Sequence, residues 1–340
     1  MTSRFSLAAF AIGLLAAVAA SSDRAKADSF YAGKQLTYIV GTSAGGGYDL
    51  YSRILVEYWA RHIPGAPHIV VQNMPNASGV GAANYIFNVA PKDGTYFAMC
   101  SAGFVLTGAL TPERVRFRPA ELDWVGTVTT MTDILAVFKS TGVATLDDAK
   151  RIQVLLGANG KGSALSMQPK LVNALLGTKF KIIGGYAGGN EVNIAMERGE
   201  VFGRTNQWDS WNAQRPDWIR DHRLGYLLQF GPKIEDLPAV PSFPELVSKP
   251  EDKALVDLLE VQQYVGRSVF TTPGVPPDRL ALLRRSFDDT LKDPDFRARM
   301  RSAKLDLLSR PGEQTQAYVE KVMSNVSDIA AKFDHIVGTE

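Results

Sequence analysis

Four glycine-rich segments in this chain each stand between a β-favouring run and a helical pattern. The first is Gly41-Thr42-Ser43-Ala44-Gly45-Gly46-Gly47, continued by Tyr48 and Asp49. The second is Asn76-Ala77-Ser78-Gly79-Val80-Gly81, and the third is Gly157-Ala158-Asn159-Gly160-Lys161-Gly162-Ser163. The fourth is Gly184-Gly185-Tyr186-Ala187-Gly188-Gly189, followed by Asn190. A helix start leaves its first N–H groups unpaired and carries the positive end of the helix dipole. That chemistry favours an anion, a carboxylate or a phosphate, and glycine lets the anion approach the backbone. Asp49 is placed near the first helix start, where a carboxylate caps free N–H groups. Lys161 reads either as a solvated loop charge or as an anion ligand. Asn190 and Glu191 stand at a helix start, where capping is the plainest role. Asn206-Gln207-Trp208 follows a further strand, so Trp208 either walls a ligand site or packs; Trp211 and Trp218 read as packing near a domain junction.

Rival chemistries find no constellation. A dinucleotide site needs G-x-G-x-x-G and an acidic residue about 20 positions on, but Gly45-Gly46-Gly47-Tyr48-Asp49 breaks the spacing and the second strand ends in Gln72-Asn73. A P-loop needs G-K-[ST], and Lys161 is followed by Gly162. No G-x-S-x-G elbow occurs. His62, His68, His222 and His335 lack metal-ligand spacing, and His62 and His68 flank Pro64-Gly65-Ala66-Pro67, which predicts loop or edge positions. No catalytic residue, metal or cofactor is expected.

The elements that must position the loops follow from periodicity. Leu36 to Val40 is a strand, and Leu50, Ile54, Leu55 and Tyr58 mark one face of the next helix. His68 to Gln72 and Tyr96 to Cys100 are strands, with a helix over 82–89 between them. A second block repeats the design: strand Ile152–Leu156, helix Ala164–Leu176, strand Phe180–Ile183, helix Glu191–Glu197. Alternating strands and helices predict mainly parallel sheets with right-handed crossovers. A third region has Pro-rich connections, a helix bearing Leu280, Leu283, Phe287 and Leu291, and a last helix with Tyr318, Val322, Val326, Ile329 and Phe333 on its apolar face.

Arg4, the apolar run Phe5 to Ala20 and the small-residue exit Ala25-Lys26-Ala27 are the parts of a secretory signal, and the run is short for a membrane span. Residues 1–27 are therefore expected to be cleaved. The formal charge is +2 over 340 residues; loss of Arg4, Arg24, Lys26 and Asp23 balances acids and bases, which gives no electrostatic reason to bind nucleic acid. The single cysteine, Cys100, cannot form an internal disulfide and reads as a buried structural thiol.

Taken in order, these segments resemble the Bug family, the extracytoplasmic solute receptors of tripartite tricarboxylate transporters. Ala44-Gly45-Gly46-Gly47-Tyr48-Asp49 resembles its A-G-G-G-x-D loop, with Arg53 at the family arginine. Val70 to Gly79 resembles V-x-N-x-P-G-A-x-G, Asp93-Gly94 its P-D-G-Y-T turn, and Tyr186-Ala187-Gly188-Gly189 its P-Y-x-G loop. Arg198-Gly199-Glu200-Val201 is similar to its G-x-V turn, and Thr272-Pro273-Gly274-Val275-Pro276 to its P-x-G-x-P crossover. Departures are Asn76 for glycine, an inserted Lys92, the reversed order of Thr95 and Tyr96, Gly185 for proline, and no histidine near Ser166-Met167. The resemblance implies an α/β, two-lobed periplasmic-binding-protein fold (type II-like). It would have two mainly parallel sheets flanked by helices, with a cleft between them that closes on a small organic anion.

Lobe 1 would span 28–125, with part of about 266–305 returning to it; lobe 2 would span 126–265, and a C-terminal helix in 306–340 would pack across the lobes. Ligand contacts are then expected from Ser43, Ala44, Gly45, Gly46, Gly47, Tyr48, Asp49, Asn76, Ala77, Ser78, Gly79 and Gly81 in the first lobe. The second would add Gly160, Lys161, Gly162, Ser163, Tyr186, Gly188, Gly189, Asn190, Asn206, Gln207 and Trp208. The expected partners are a small organic acid and the integral membrane subunits of a transporter, with the chain a periplasmic monomer. A periplasmic sensor feeding a membrane kinase fits the same residues, and a nucleotide-dependent α/β enzyme fits them less well.

Overall fold

The computed structural model describes residues 30–75, 79–158, 163–186 and 188–338, so the expected leader lies outside the described residues. In chain order the elements are β1 (Gln35–Val40), α1 (Gly47–His62), β2 (His68–Asn73), α2 (Val80–Asn88), β3 (Tyr96–Met99), α3 (Gly103–Leu110), β4 (Asp123–Thr129) and β5 (Asp133–Phe138). There follow α4 (Leu146–Arg151), β6 (Val154–Gly157), α5 (Ala164–Leu176), β7 (Phe180–Ile183), α6 (Gly189–Glu197), β8 (Gly203–Gln207), α7 (Trp208–Gln214), α8 (Pro216–Arg220) and β9 (Leu224–Phe230). The chain ends with α9 (Pro250–Val265), β10 (Arg267–Thr271), α10 (Pro277–Lys292), α11 (Pro294–Ser302), β11 (Arg310–Pro311), α12 (Gly312–Ser324) and α13 (Val326–Gly338). Of the described residues, unit 1 takes those up to Phe104, then Val115–Thr129 and Arg267–Gln316; unit 2 takes Val105–Arg114, Thr130–Gly266 and those from Ala317. Among the described residues, no helix is long and apolar enough to cross a membrane.

Unit 1 holds a six-stranded sheet in the order β11-β4-β10-β3-β1-β2. Strand β1 runs parallel to both β2 and β3, with Tyr38 opposite Val71 on one side and Phe97 on the other. Every residue of β1 after Gln35 is buried, as expected of a strand covered on both faces. Helix α1 covers this sheet with Tyr51, Ile54, Leu55, Tyr58 and Trp59. Leu50, predicted for the buried face, is 40% exposed, and Trp59 takes the central place instead. The Trp59 ring lies against Phe97 and Phe287, and its Nε1–H donates to Ser286 Oγ at 2.9 Å. Gly126 on β4 leaves room for Phe287, whose ring a Cβ at that position would overlap.

Unit 2 holds a five-stranded sheet in the order β7-β6-β8-β5-β9. Its apolar core joins Ile134, Ala136 and Phe138 of β5 to Val192 of α6 and to Trp211 and Trp218, both fully buried. The opposite side is pinned by a polar contact: buried Asp133 Oδ2 accepts from Gln168 Nε2 and Gln263 Nε2, each at 2.7 Å. That ties α5 and α9 to the start of β5, and burial pushes the Asp133 carboxyl upward.

The α/β class and the two helix-flanked sheets match expectation, but neither sheet is mainly parallel; both are mixed. Parallel pairs occur where strand–loop–helix units follow one another, β1 with β2 and β3, and β6 with β7 and β8. Antiparallel pairs occur where other segments enter: β10 between β3 and β4, β11 beside β4, and β5 between β8 and β9. A parallel neighbour needs a helical crossover, whereas a returning strand does not. The single last helix predicted from apolar spacing is two, α12 and α13, divided at Asn325. His62 closes α1 rather than lying in a loop, and its Nε2 meets Asp293 Oδ2 at 2.9 Å. Cys100 follows β3, is buried, and has its thiol pushed far up by burial, so it is a packing residue.

Candidate anion-binding loops

At the carboxyl end of β1, Ser43 to Gly47 form an exposed loop that runs directly into α1. Gly45 adopts φ +83°, a left-handed conformation that suits glycine. Gly46 caps the helix with extended backbone and no side-chain cap, so the first N–H groups of α1 have no capping side chain over them. Asp49, buried at 4% exposure, is the clamp of this loop. Its Oδ2 accepts from Gly45 N–H at 2.9 Å and from Arg53 Nε at 2.9 Å, and its Oδ1 accepts from Asn73 Nδ2 at 2.9 Å. Asn73 Nδ2 also donates to Thr42 O at 3.1 Å, and Arg53 Nη2 donates to Asn73 Oδ1 at 3.0 Å. Loop, first helix and second strand are thereby held by one carboxylate. Arg53 foremost among its partners holds the Asp49 carboxyl at about 2. Asp49 thus anchors the loop from Gly45 and does not cap α1 itself.

The second loop is drawn onto the first. Gly79, at φ +96°, caps α2, and its Cα lies 3.0 Å from where a Cβ on Gly41 would stand. Cys100 sits against both glycines, with its Cβ 2.7 Å from a Cβ placed on Gly79. Side chains larger than hydrogen at 41 and 79 would separate the loops. Gly81 follows in the first turn of α2, half-buried. Tyr48 is half-buried and its hydroxyl accepts from Ala102 N–H at 3.1 Å, so it braces the loop after β3. Asn76, Ala77 and Ser78 lie outside the described residues. Arg267, not expected here, opens β10 with its guanidinium over Tyr51 (4.4 Å) and Tyr48 (5.4 Å), beside Gly47.

In unit 2, Ala158 after β6 donates its N–H to Ile183 O at the end of β7 (2.8 Å) and accepts from Tyr186 N–H in the loop beyond β7 (3.4 Å). Ser163 stands at the N-cap of α5 and its side chain makes no capping hydrogen bond to that helix, while Gly160, Lys161, Gly162 and Ala187 lie outside the described residues. Tyr186 is half-buried; Gly188 caps α6, Gly189 and Asn190 follow in its first turn, and no side chain caps that start. Beneath Gly189 lies the guanidinium of Arg204, which a Cβ on that glycine would overlap. Arg204 is 1% exposed, and burial pushes its guanidinium down to about 10. Asn206 is the penultimate residue of the same strand; Gln207 ends it and turns away to Met131, its Nε2 3.1 Å from Sδ. Trp208 starts α7, donates to Asp236 Oδ2 at 2.7 Å and meets Tyr226 edge-on. In unit 1 the structure packs Gly41, which leads into Ser43–Asp49, against Gly79, with Gly81 two residues beyond it; in unit 2, Ser163 and Gly188–Asn190 stand at helix starts, and Tyr186 and Asn206–Trp208 at or after strand ends. An arginine inside a strand reads as a surface charge, so neither Arg204 nor Arg267 stood out. The apolar and small residues before Arg204, Val201-Phe202-Gly203, were the available sign of burial.

No family model matches the chain, and no curated protein matches it. Solved structures do. A TctC solute-binding protein from Polaromonas superposes with a TM-score of 0.70 at 19% identity, covering 88% of this chain and 98% of that one. The periplasmic binding protein BugD gives 0.55 at 20% identity, over 88% and 97%. MatC from Rhodopseudomonas palustris, solved with bound malate, gives 0.53 at 21% identity, over 89% and 99%. The chain therefore has the fold of periplasmic solute-binding proteins of the TctC and Bug type.

Proposed function

We propose that this chain is a periplasmic solute-binding protein that captures a small organic carboxylate and delivers it to a membrane transporter of the tripartite tricarboxylate type. Residues 1–27 would be its export signal. It acts by binding and performs no chemistry on the ligand. The observation that carries the reading is the Gly45–Gly47 loop, an exposed backbone turn at a helix start with no side-chain cap, locked by the Asp49–Arg53–Asn73 contacts. A loop fixed before the ligand arrives loses little entropy on binding. The malate in MatC, a protein of this fold, supports the same class of ligand. Calorimetric titration of the chain from Asp28 with mono-, di- and tricarboxylates tests the proposal. Saturable one-to-one binding of at least one acid is expected, and no heat with any of them refutes it.

A further inference from the structure

Unit 2 contains a buried positive charge that no acid among the described residues contacts. Arg204 is 1% exposed and, among the described residues, forms no ion pair. Its Nη2 donates to the neutral Gln214 Oε1 at 3.2 Å, an acceptor already shared with Asn193 Nδ2 at 3.3 Å. Its face rests on Trp211 at 5.0 Å. Its Nε is buried without a hydrogen-bond partner among the described residues, and Nη1 occupies the space a side chain on Gly189 would fill. Asn206 lies two residues on along β8, hence on the same sheet face, and its Nδ2 is also buried without a partner among the described residues. The guanidinium lies at the first turn of α6, where the helix dipole is itself positive, and Asn206 stands beside it on the sheet. A desolvated cation beside a positive helix end is unfavourable unless an anion joins them. Asp133 acts on Arg204 only at a distance and is already bound by two glutamines. The negative group at hand is the exposed Glu191, whose Oε2 lies 3.3 Å from where a Cβ on Gly188 would stand.

We infer that the start of α6, with Arg204 and Asn206 behind it, is a carboxylate-binding site in unit 2, and that Glu191 shields it until a ligand carboxylate takes that place. The inference rests on the proposed capture of an organic acid, and it adds a site and a charge to it. Gly189 is required there because a side chain would evict the guanidinium. A buried arginine that still has an unpartnered Nε–H is a preorganised anion receptor.

The test is a nitrogen-15 chemical-shift titration of the chain from Asp28 with succinate, and with neutral succinamide as control. The expected result is that the Gly188, Gly189 and Asn190 amides and the Arg204 Nε–H move on one saturable isotherm with succinate, and stay still with succinamide. Arg204→Met is expected to weaken that response at least tenfold and Arg204→Lys to restore part of it. Should Arg204→Met fail to fold, the surface change Glu191→Gln decides: it is expected to tighten the same response at least twofold, and an unchanged or weaker response overturns the inference. Saturation at Gly46 and Gly47 with Gly188–Asn190 unmoved also overturns it while leaving carboxylate capture standing. Movement in unit 2 with Gly46 and Gly47 still supports the site here and removes the first loop from the binding reading. Silence in both places ends both.

Discussion

Replacing Asp49 by asparagine keeps its shape and removes its charge. The carboxylate lies at about 2 in the fold against an ordinary 3.8, with Arg53, Gly45 and Asn73 as the stabilising partners. At ~1.4 kcal/mol per unit, the difference corresponds to roughly 2 kcal/mol of unit 1 stability after allowance for the half-exposed Arg53. The sign follows from linkage: the folded value is depressed, so the stabilisation is complete well above pH 4 and is lost as pH falls toward about 2. Hydrogen exchange of β1 and α1 amides, measured across urea concentrations, isolates unit 1. At pH 7 the Asp49→Asn variant should be less stable by about 2 kcal/mol, and the gap should shrink to about half near pH 3 and close below about pH 2. A gap that holds constant from pH 7 to pH 2.5, or one below ~0.5 kcal/mol at pH 7, would refute the clamp.

Gly46→Val keeps an allowed backbone, since φ is −82° and the nearest atom to a new Cβ is Ser43 O at 3.7 Å. Its melting temperature should fall by no more than ~4 °C, while carboxylate affinity by calorimetry should drop at least about tenfold. Gly79→Ala needs a left-handed backbone and meets Cys100 Cβ at 2.7 Å, so urea unfolding should show a loss of roughly 2–4 kcal/mol. The Cys100 thiol should react with iodoacetamide at least ~100-fold more slowly in the folded chain than in urea, because it is buried and protonated.

The strand–glycine–helix units were legible because β-branched runs, glycine clusters and 3–4 spacing are local signals. Phe180–Ile183 and Ala164–Leu176 coincide with β7 and α5. What was not legible depends on partners distant in the chain. Nothing within Arg267–Thr271 announces that this strand lies between β3 and β4. Leu50 and Trp59 exchange roles because α1 presents its tryptophan to Phe287 and Ser286, more than 200 positions away. In the site, glycines and Asp49 could be read from their types, but the contact of Asp49 with Asn73 requires β2 to end beside the first loop. Arg204 needed the third dimension, since only the packing of α6 and α7 shows that its charge is enclosed.

The insertion of β10 between β3 and β4 has a consequence for biogenesis. Until Thr271 has been synthesised, the six-stranded sheet is missing its middle and the polypeptide carries two raw edges with nothing to join them. The sheet of unit 1 is therefore completed late, after every strand of the unit 2 sheet has already been made.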